Sequence, residues 1–243
     1  IEWFGGNWDE VPFEYHRNSA VYFADSTQSM HYNLQYTPLY LDFGETETHR
    51  THAEDLYNLL RDYNDNMWID TEPTGGHGYS VITESHACDW LSQYQLIDNP
   101  DIINVNLDEP SRAYWMETYN QINENDFIRI SLEKNNENIY WINKFSNSDT
   151  LLFHILNNII PPEIQFYNNQ PNSIFTIGVT GTSPLIPIIS DISFDGFGNY
   201  SWDNLNLEDG IIYVDNISSG MYSMSFTVNN DVNLDGVWDI LDI

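Results

Sequence analysis

Two glycine-rich segments of the chain carry a carboxylate and an imidazole thirty positions apart. Glu47 closes the segment Gly44–Glu47, which follows the apolar run 37–43, and His77 lies in Gly75–Gly78, after a second apolar run. A carboxylate beside an imidazole fixes the tautomer of the ring and stabilises the imidazolium that forms when the ring takes a proton from a nucleophile. Glu47 and His77 are therefore candidates for the orienting acid and the general base of nucleophilic catalysis.

The elements around these loops follow a strand–helix–strand pattern. Residues 37–43 begin close to a proline and end before a glycine, which predicts a short buried strand of a parallel sheet. The segment Thr51–Glu54 has the form of a capping box and predicts the start of a helix, and residues 67–71 predict the second strand. Because the carboxyl ends of parallel strands meet at one edge of a sheet, where ligands bind, we expect Glu47 and His77 to be neighbours.

These motifs resemble a known enzyme family over residues 1–96. The chain is similar here to the C-terminal half of the catalytic domain of prolyl-oligopeptidase-type serine peptidases and of the related α/β-hydrolase esterases. The resemblance implies an α/β fold with a parallel sheet, with His77 at the position of the family's general base and Glu47 where the family usually has aspartate. Seven segments carry it, in this order: Phe4–Gly6, Asp9–Glu10, Tyr15–Ala20, Thr37–Leu39, Gly44–Glu47, Ala53–Tyr57 and Gly76–Gly78.

The nucleophile of that family has no counterpart in this chain. Its members carry a serine on a Gly-x-Ser-x-Gly turn that precedes the acid and the histidine, and no such sequence occurs here. The resemblance implies a fragment of an exported serine hydrolase whose nucleophilic serine lies upstream, and we expect the 243 residues alone to be inactive. A peptidase is the first expectation. A carboxylesterase, including one that acts on carbohydrates, is the alternative.

The last residues of the chain form a regularly spaced set of oxygen donors. Over 231–242, side-chain oxygens stand at positions one, three, five, nine and twelve of a twelve-residue loop, and Gly236 stands at position six, as in an EF-hand-like loop. The segment resembles the first half of a dockerin repeat. This resemblance implies a structural calcium ion and, in an intact module, a cohesin-like or cell-surface partner. The candidate ligands are Asp231, Asn233, Asp235, Val237, Asp239 and Asp242.

Between these regions the sequence changes, near residue 98, to β-branched and aromatic runs separated by asparagine-rich turns. Such runs predict an all-β sandwich. The predicted fold class is therefore a partial α/β hydrolase plus a sandwich, in a multidomain fragment with domains at 1–97, 98–228 and 229–243. The run 151–160 suits either a buried strand or a short helix. Four aromatic residues are candidates for the sandwich core or for a sugar-binding face: Trp115, Trp141, Tyr167 and Trp202.

The composition excludes some partners. The chain has 37 acidic and 7 basic residues, a formal charge of -30 at pH 7, which repels nucleic acid and anionic lipid. No apolar run approaches the roughly 20 residues of a membrane-spanning helix. The acidic excess, and a short likeness of Ser218–Tyr222 to bacterial sorting modules, predict a secreted or cell-surface bacterial protein. The single Cys88 cannot form an internal disulfide, and we expect it to be a small core residue.

Two alternatives remain open. His49 and His52 have a three-residue spacing that suits metal ligands, although no Glu-flanked zincin motif accompanies them. The rival function is that of a non-catalytic protein whose calcium loop attaches it to a surface or scaffold. A Gly-x-Ser-x-Gly turn in the sequence that precedes Ile1 would favour the enzyme, and its absence would favour the binding protein.

Overall fold

A computed structural model of the chain describes residues 3–19, 29–72, 75–76, 84–155, 163–181, 189–197, 199–203 and 211–228. The chain divides into two compact units. The first unit comprises 1–98, 104–108 and 125–127, and the second comprises 99–103, 109–124 and 128–243.

The first unit is built around one strand–helix–strand motif. Strands β1 (Leu39–Gly44) and β2 (Met67–Glu72) pair in parallel, from Leu39 opposite Met67 to Gly44 opposite Glu72, and helix α2 (Arg50–Leu60) connects them. Leu60 at the end of that helix is fully buried, and Phe43 and Trp90 are almost so. The elements described in this unit are α1 (Pro12–Arg17), a 3-10 helix (His31–Leu34), β1 (Leu39–Gly44), α2 (Arg50–Leu60), β2 (Met67–Glu72) and α3 (Glu84–Leu91).

Two local expectations in the first unit are wrong. Helix α2 begins at Arg50, with His49 in the capping position and no side-chain cap, so Thr51 lies inside the helix and forms no capping box. The chain turns into the helix earlier than the motif predicts, through backbone bonds from Glu47 to Gly44 and from Arg50 to Glu47. Cys88 is exposed rather than in the core, because the face of α3 that meets Tyr40 carries His86 and Trp90.

The second unit consists of two mixed six-stranded sheets. Sheet I has the order β12-β13-β10-β8-β5-β4, and sheet II has the order β11-β14-β9-β7-β6-β3, with the first two residues of β3 in the second unit. Strand β8 pairs in parallel with β10, and β7 in parallel with β9. The strands are β3 (Ile102–Leu107), β4 (Arg112–Ala113), β5 (Met116–Thr118), β6 (Ile128–Lys134), β7 (Ile139–Ser146), β8 (Thr150–Ile155), β9 (Glu163–Asn168), β10 (Phe175–Gly181), β11 (Ile189–Asp195), β12 (Asn199–Asp203), β13 (Ile211–Ile217) and β14 (Gly220–Val228).

Aromatic rings form the core between sheets I and II. The ring of Phe153 on β8 lies 5.2 Å from that of Tyr140 on β7 and 5.0 Å from that of Phe166 on β9. Trp115, in the turn between β4 and β5, packs 5.5 Å from Tyr140, and its indole nitrogen donates to the carbonyl of Pro100 at 2.6 Å. The alternating burial along β6, β7 and β9 follows from the two-residue period of a strand with one face on this core.

The predicted fold class is wrong. The described residues form fourteen strands and three α-helices, the sheets of the second unit are mixed, and the parallel pair β1–β2 is a two-stranded sheet rather than part of a hydrolase sheet covered by helices. The strand–helix–strand pattern was a local signal, and it gave no information on how many further strands join the sheet. By its content of strands and helices, the chain is mostly β.

The structure also shows the secondary structure of residues 151–155 and the backbone conformation of the asparagine-rich turns. The first half of the apolar run 151–160 is strand, since β8 covers Thr150–Ile155. The asparagine-rich turns do adopt positive φ, as expected from the tolerance of this residue for the left-handed region. Among the described residues, the asparagines with positive φ are Asn138, Asn147, Asn172 and Asn216.

Candidate functional site

The loops that follow β1 and β2 meet at one edge of the two-stranded sheet. The amide and the hydroxyl of Thr46 both donate to the carbonyl of Gly75, at 3.0 and 2.5 Å. Gly44 lies against the same carbonyl group, and its backbone leaves no room there for a side chain. Thr46 thus fixes the second loop two residues before His77, and Glu47 follows Thr46 directly.

The carboxylate of Glu47 is occupied by its own loop. Its Oε1 accepts hydrogen bonds from the backbone amide of His49 at 3.1 Å and from the hydroxyl of Thr48 at 3.2 Å. The same oxygen lies 3.1 Å from His49 Nδ1. The Glu47 side chain is 11% exposed and that of His49 is 70% exposed. Because a carboxylate only accepts, a hydrogen bond in this pair has Nδ1 of His49 as its donor.

In this pair a carboxylate is placed to orient an imidazole. The imidazole is that of His49, whereas the predicted partner of Glu47 is His77. Position 77 lies outside the described residues, so the expected Glu47–His77 contact has no counterpart among the contacts described. From its spacing, His49 is also a candidate metal ligand, together with His52. Their rings are 5.8 Å apart. Within the described residues, no three His, Cys, Asp or Glu side chains form a group that could hold a metal ion.

The six candidate calcium ligands between Asp231 and Asp242 all lie outside the described residues. The prediction of a calcium loop therefore rests on the spacing of its oxygen donors in the sequence.

A small pocket in the first unit was not anticipated from the sequence. Its volume is about 190 Å³, against the roughly 300 Å³ at which typical ligand pockets begin. His16 on α1 supplies a nearly buried imidazole, which packs 5.0 Å from the ring of Trp8. The pocket has room for a small polar group only. It is lined by Pro12, Phe13, His16, Asn125, Asp126 and Phe127.

A second histidine–carboxylate pair lies on sheet I. His154 on β8 donates from Nε2 to Oε2 of Glu117 on β5, at 2.8 Å, and the two side chains are 11% and 28% exposed. Burial lowers the pKa of His154, and the hydrogen bond to Glu117 opposes part of this shift. The two residues are 37 positions apart and no sequence motif links them, so only the pairing of β5 with β8 brings them together.

The four aromatic candidates of the second region separate into different environments. Trp115 is 1% exposed in the core, so it cannot contact a ligand. Trp141 and Tyr167 lie on the opposite face of sheet II, with their ring centroids 5.9 Å apart. The side chain of Trp202 lies outside the described residues.

Comparison of the chain with models of known protein families, with curated proteins and with solved structures finds no match. Among the described residues, no helix is long and apolar enough to cross a membrane.

Proposed function

We propose that this chain supplies the general base, His77, and its orienting carboxylate, Glu47, to an exported serine hydrolase that cleaves a peptide bond through an acyl-enzyme. The nucleophile in this proposal is a serine outside the 243 residues, on a Gly-x-Ser-x-Gly turn. His77 takes the proton of the serine hydroxyl during attack on the carbonyl carbon and returns it to the leaving amine, while Glu47 stabilises the imidazolium.

The observation that carries the proposal is the joining of the two loops at the end of the parallel strands. The two hydrogen bonds from Thr46 to Gly75 hold the backbone that leads into His77 beside the residue that precedes Glu47. Loops anchored on rigid strands keep catalytic groups in register. The order of the seven motif segments along 1–96 supports the same chemistry.

The hydrogen bond between Glu47 and His49 makes His49 the alternative candidate for the general base. If Glu47 serves His49 alone, then the exposed His49 is the histidine that this carboxylate orients, and Glu47 is not the acid of His77. His49 is therefore the matched control for every experiment on His77.

The test is covalent labelling by a fluorophosphonate probe of the protein expressed together with the sequence that precedes Ile1. We expect strong labelling of the wild type and loss of at least a hundredfold in rate in His77→Ala, because general-base catalysis contributes about 10²–10⁴-fold. Glu47→Gln is expected to label slowly, and His49→Ala at the wild-type rate.

Labelling that is lost in His49→Ala and kept in His77→Ala would overturn the assignment of the base. No labelling of the wild type would overturn the hydrolase, and would leave calcium-dependent attachment to a surface or scaffold as the alternative. For a labelled protein, rates on peptide and on ester substrates separate the peptidase from the alternative, a carboxylesterase.

We also propose that residues 231–242 bind a structural calcium ion and, within an intact module, dock on a cohesin-like or cell-surface partner. The support is the spacing of oxygen donors around Gly236, which matches the ligand positions of a twelve-residue calcium loop. Terbium, a luminescent substitute for calcium, tests this through energy transfer from Trp238. Asp235→Ala should abolish the luminescence, and its persistence would contradict the site.

A further inference from the structure

The outer face of sheet II carries a row of side chains that the core does not use. Glu133 is paired with Trp141 across β6 and β7, Trp141 with Tyr167 across β7 and β9, and Tyr167 with Met221 across β9 and β14. Neighbouring strands lie about 4.8 Å apart, so the row of four spans about 14 Å. The core of the second unit is filled from the other face of the same strands.

The middle of this row offers aromatic surface. The rings of Trp141 and Tyr167 lie within 20° of parallel, and both residues are half-buried. Met221, next in the row, is 57% exposed. The hydroxyl of Tyr167 donates to Oε1 of Gln165 at 3.4 Å, so the ring lies along its own strand toward that residue.

Hydrogen-bonding groups flank the rings on both sides. On one side, Glu163 accepts from Gln165 Nε2 at 3.0 Å and from the hydroxyl of Ser223. These hydrogen bonds lower the pKa of Glu163, so it is a carboxylate at neutral pH. On the other side, Asn169 donates to Asn143 at 2.7 Å. Carboxylate and amide oxygens accept hydroxyl protons, and the amide nitrogens donate to hydroxyl oxygens.

The charge of the chain selects among ligands. The face itself carries both signs: Glu133 and Glu163 lie on it, and so do Arg129 and Lys144, at outward positions of β6 and β7. The chain as a whole carries a formal charge of -30, so an anionic polymer is repelled. A hydroxyl-rich neutral chain suits both features, because its C–H faces pack on aromatic rings and its hydroxyls donate to the carboxylate. We propose that the outer face of sheet II binds a neutral polysaccharide, with sugar rings on Trp141 and Tyr167 and hydroxyls on Glu163, Gln165 and Asn143.

The test is titration calorimetry of the whole 243-residue chain. The probes are hexasaccharides of β-1,4-linked glucose, xylose and mannose, with oligogalacturonate as the anionic comparison. We expect at least one neutral probe to bind and the anionic one not to bind. Trp141→Ala and Tyr167→Ala should each weaken binding about tenfold, equivalent to about 1.4 kcal/mol, because each removes a ring on which a sugar packs.

Two further variants keep the test decisive. Trp68→Ala removes an indole that is 45% exposed in the first unit, and it should leave the affinity unchanged. Glu163→Gln alters an exposed side chain without touching the rings or the core, and it should weaken binding several-fold. Failure of all three neutral probes to bind overturns the proposal. So does an affinity that the Trp141, Tyr167 and Glu163 substitutions leave intact.

Discussion

Replacing Gly44 by alanine tests how closely the ends of β1 and β2 are packed. A Cβ atom on Gly44 would lie 2.9 Å from the Cα of Gly75, and closer still to its carbonyl carbon and oxygen. Such contacts do not occur between real atoms, so the second loop must move away. That movement breaks the two hydrogen bonds from Thr46, which contribute about 0.5–1.5 kcal/mol each. Residual overpacking adds about 1–3 kcal/mol, so we expect a total loss of about 2–6 kcal/mol.

Gly76→Ala is the matched control for that substitution. Its nearest neighbour would be the hydroxyl oxygen of Thr46 at 3.5 Å, an ordinary van der Waals contact, so we expect a change within about 0.5 kcal/mol. Urea unfolding followed by tryptophan fluorescence measures both variants, and hydrogen exchange over residues 39–47 and 67–76 locates the effect. A Gly44→Ala protein as stable as Gly76→Ala, with unchanged exchange in both segments, would refute the packing described here.

Two other predictions concern buried polar groups. The Tyr63 hydroxyl is buried and has no hydrogen-bond partner among the described residues, so Tyr63→Phe should raise the free energy of unfolding by about 1 kcal/mol. Tyr15→Phe, which removes a hydroxyl bonded to Gly6 at 3.2 Å, should lower it, and the same sign for both would contradict this reasoning. Burial holds the pKa of His154 below its ordinary value of 6.5, so the unfolded chain binds the extra proton first, and stability should fall as the pH drops below about 6.5. His154→Gln should flatten that part of a pH series of urea unfolding curves, and an unchanged slope would show that His154 is not its source.

The strand–helix–strand unit could be predicted because its signals are local. A proline and a glycine bound the first strand, the apolar residues of α2 recur at helical spacing, and β2 follows after a short turn. The parallel pairing follows from the helix between the strands. The same locality explains the errors at finer scale. The segment Thr51–Glu54 has the sequence of a capping box, but the helix begins one residue earlier, at Arg50. A motif of four residues does not include the preceding turn, which sets where the helix begins.

The fold class was wrong for a different reason. A strand–helix–strand pattern does not show how many further strands join the sheet, since a sheet grows through hydrogen bonds between residues far apart in sequence. In the second region, aromatic and β-branched runs predicted that strands are present. They did not predict the parallel pairing of β7 with β9 and of β8 with β10, because that pairing depends on hydrogen bonds between residues far apart in sequence.

The sequence by itself determined the charge of -30, the strand–helix–strand unit within residues 39–72, and the glycine-rich segments that carry Glu47 and His77. Those properties depend on residue type and on spacings of a few residues. The tertiary structure decided that Glu47 bonds His49, that Trp115 is core while Trp141 and Tyr167 face outward, and that Glu117 meets His154. The last two outcomes depend on which strands pair and which face of a sheet is covered, and that choice is made by the burial of apolar surface across the whole unit.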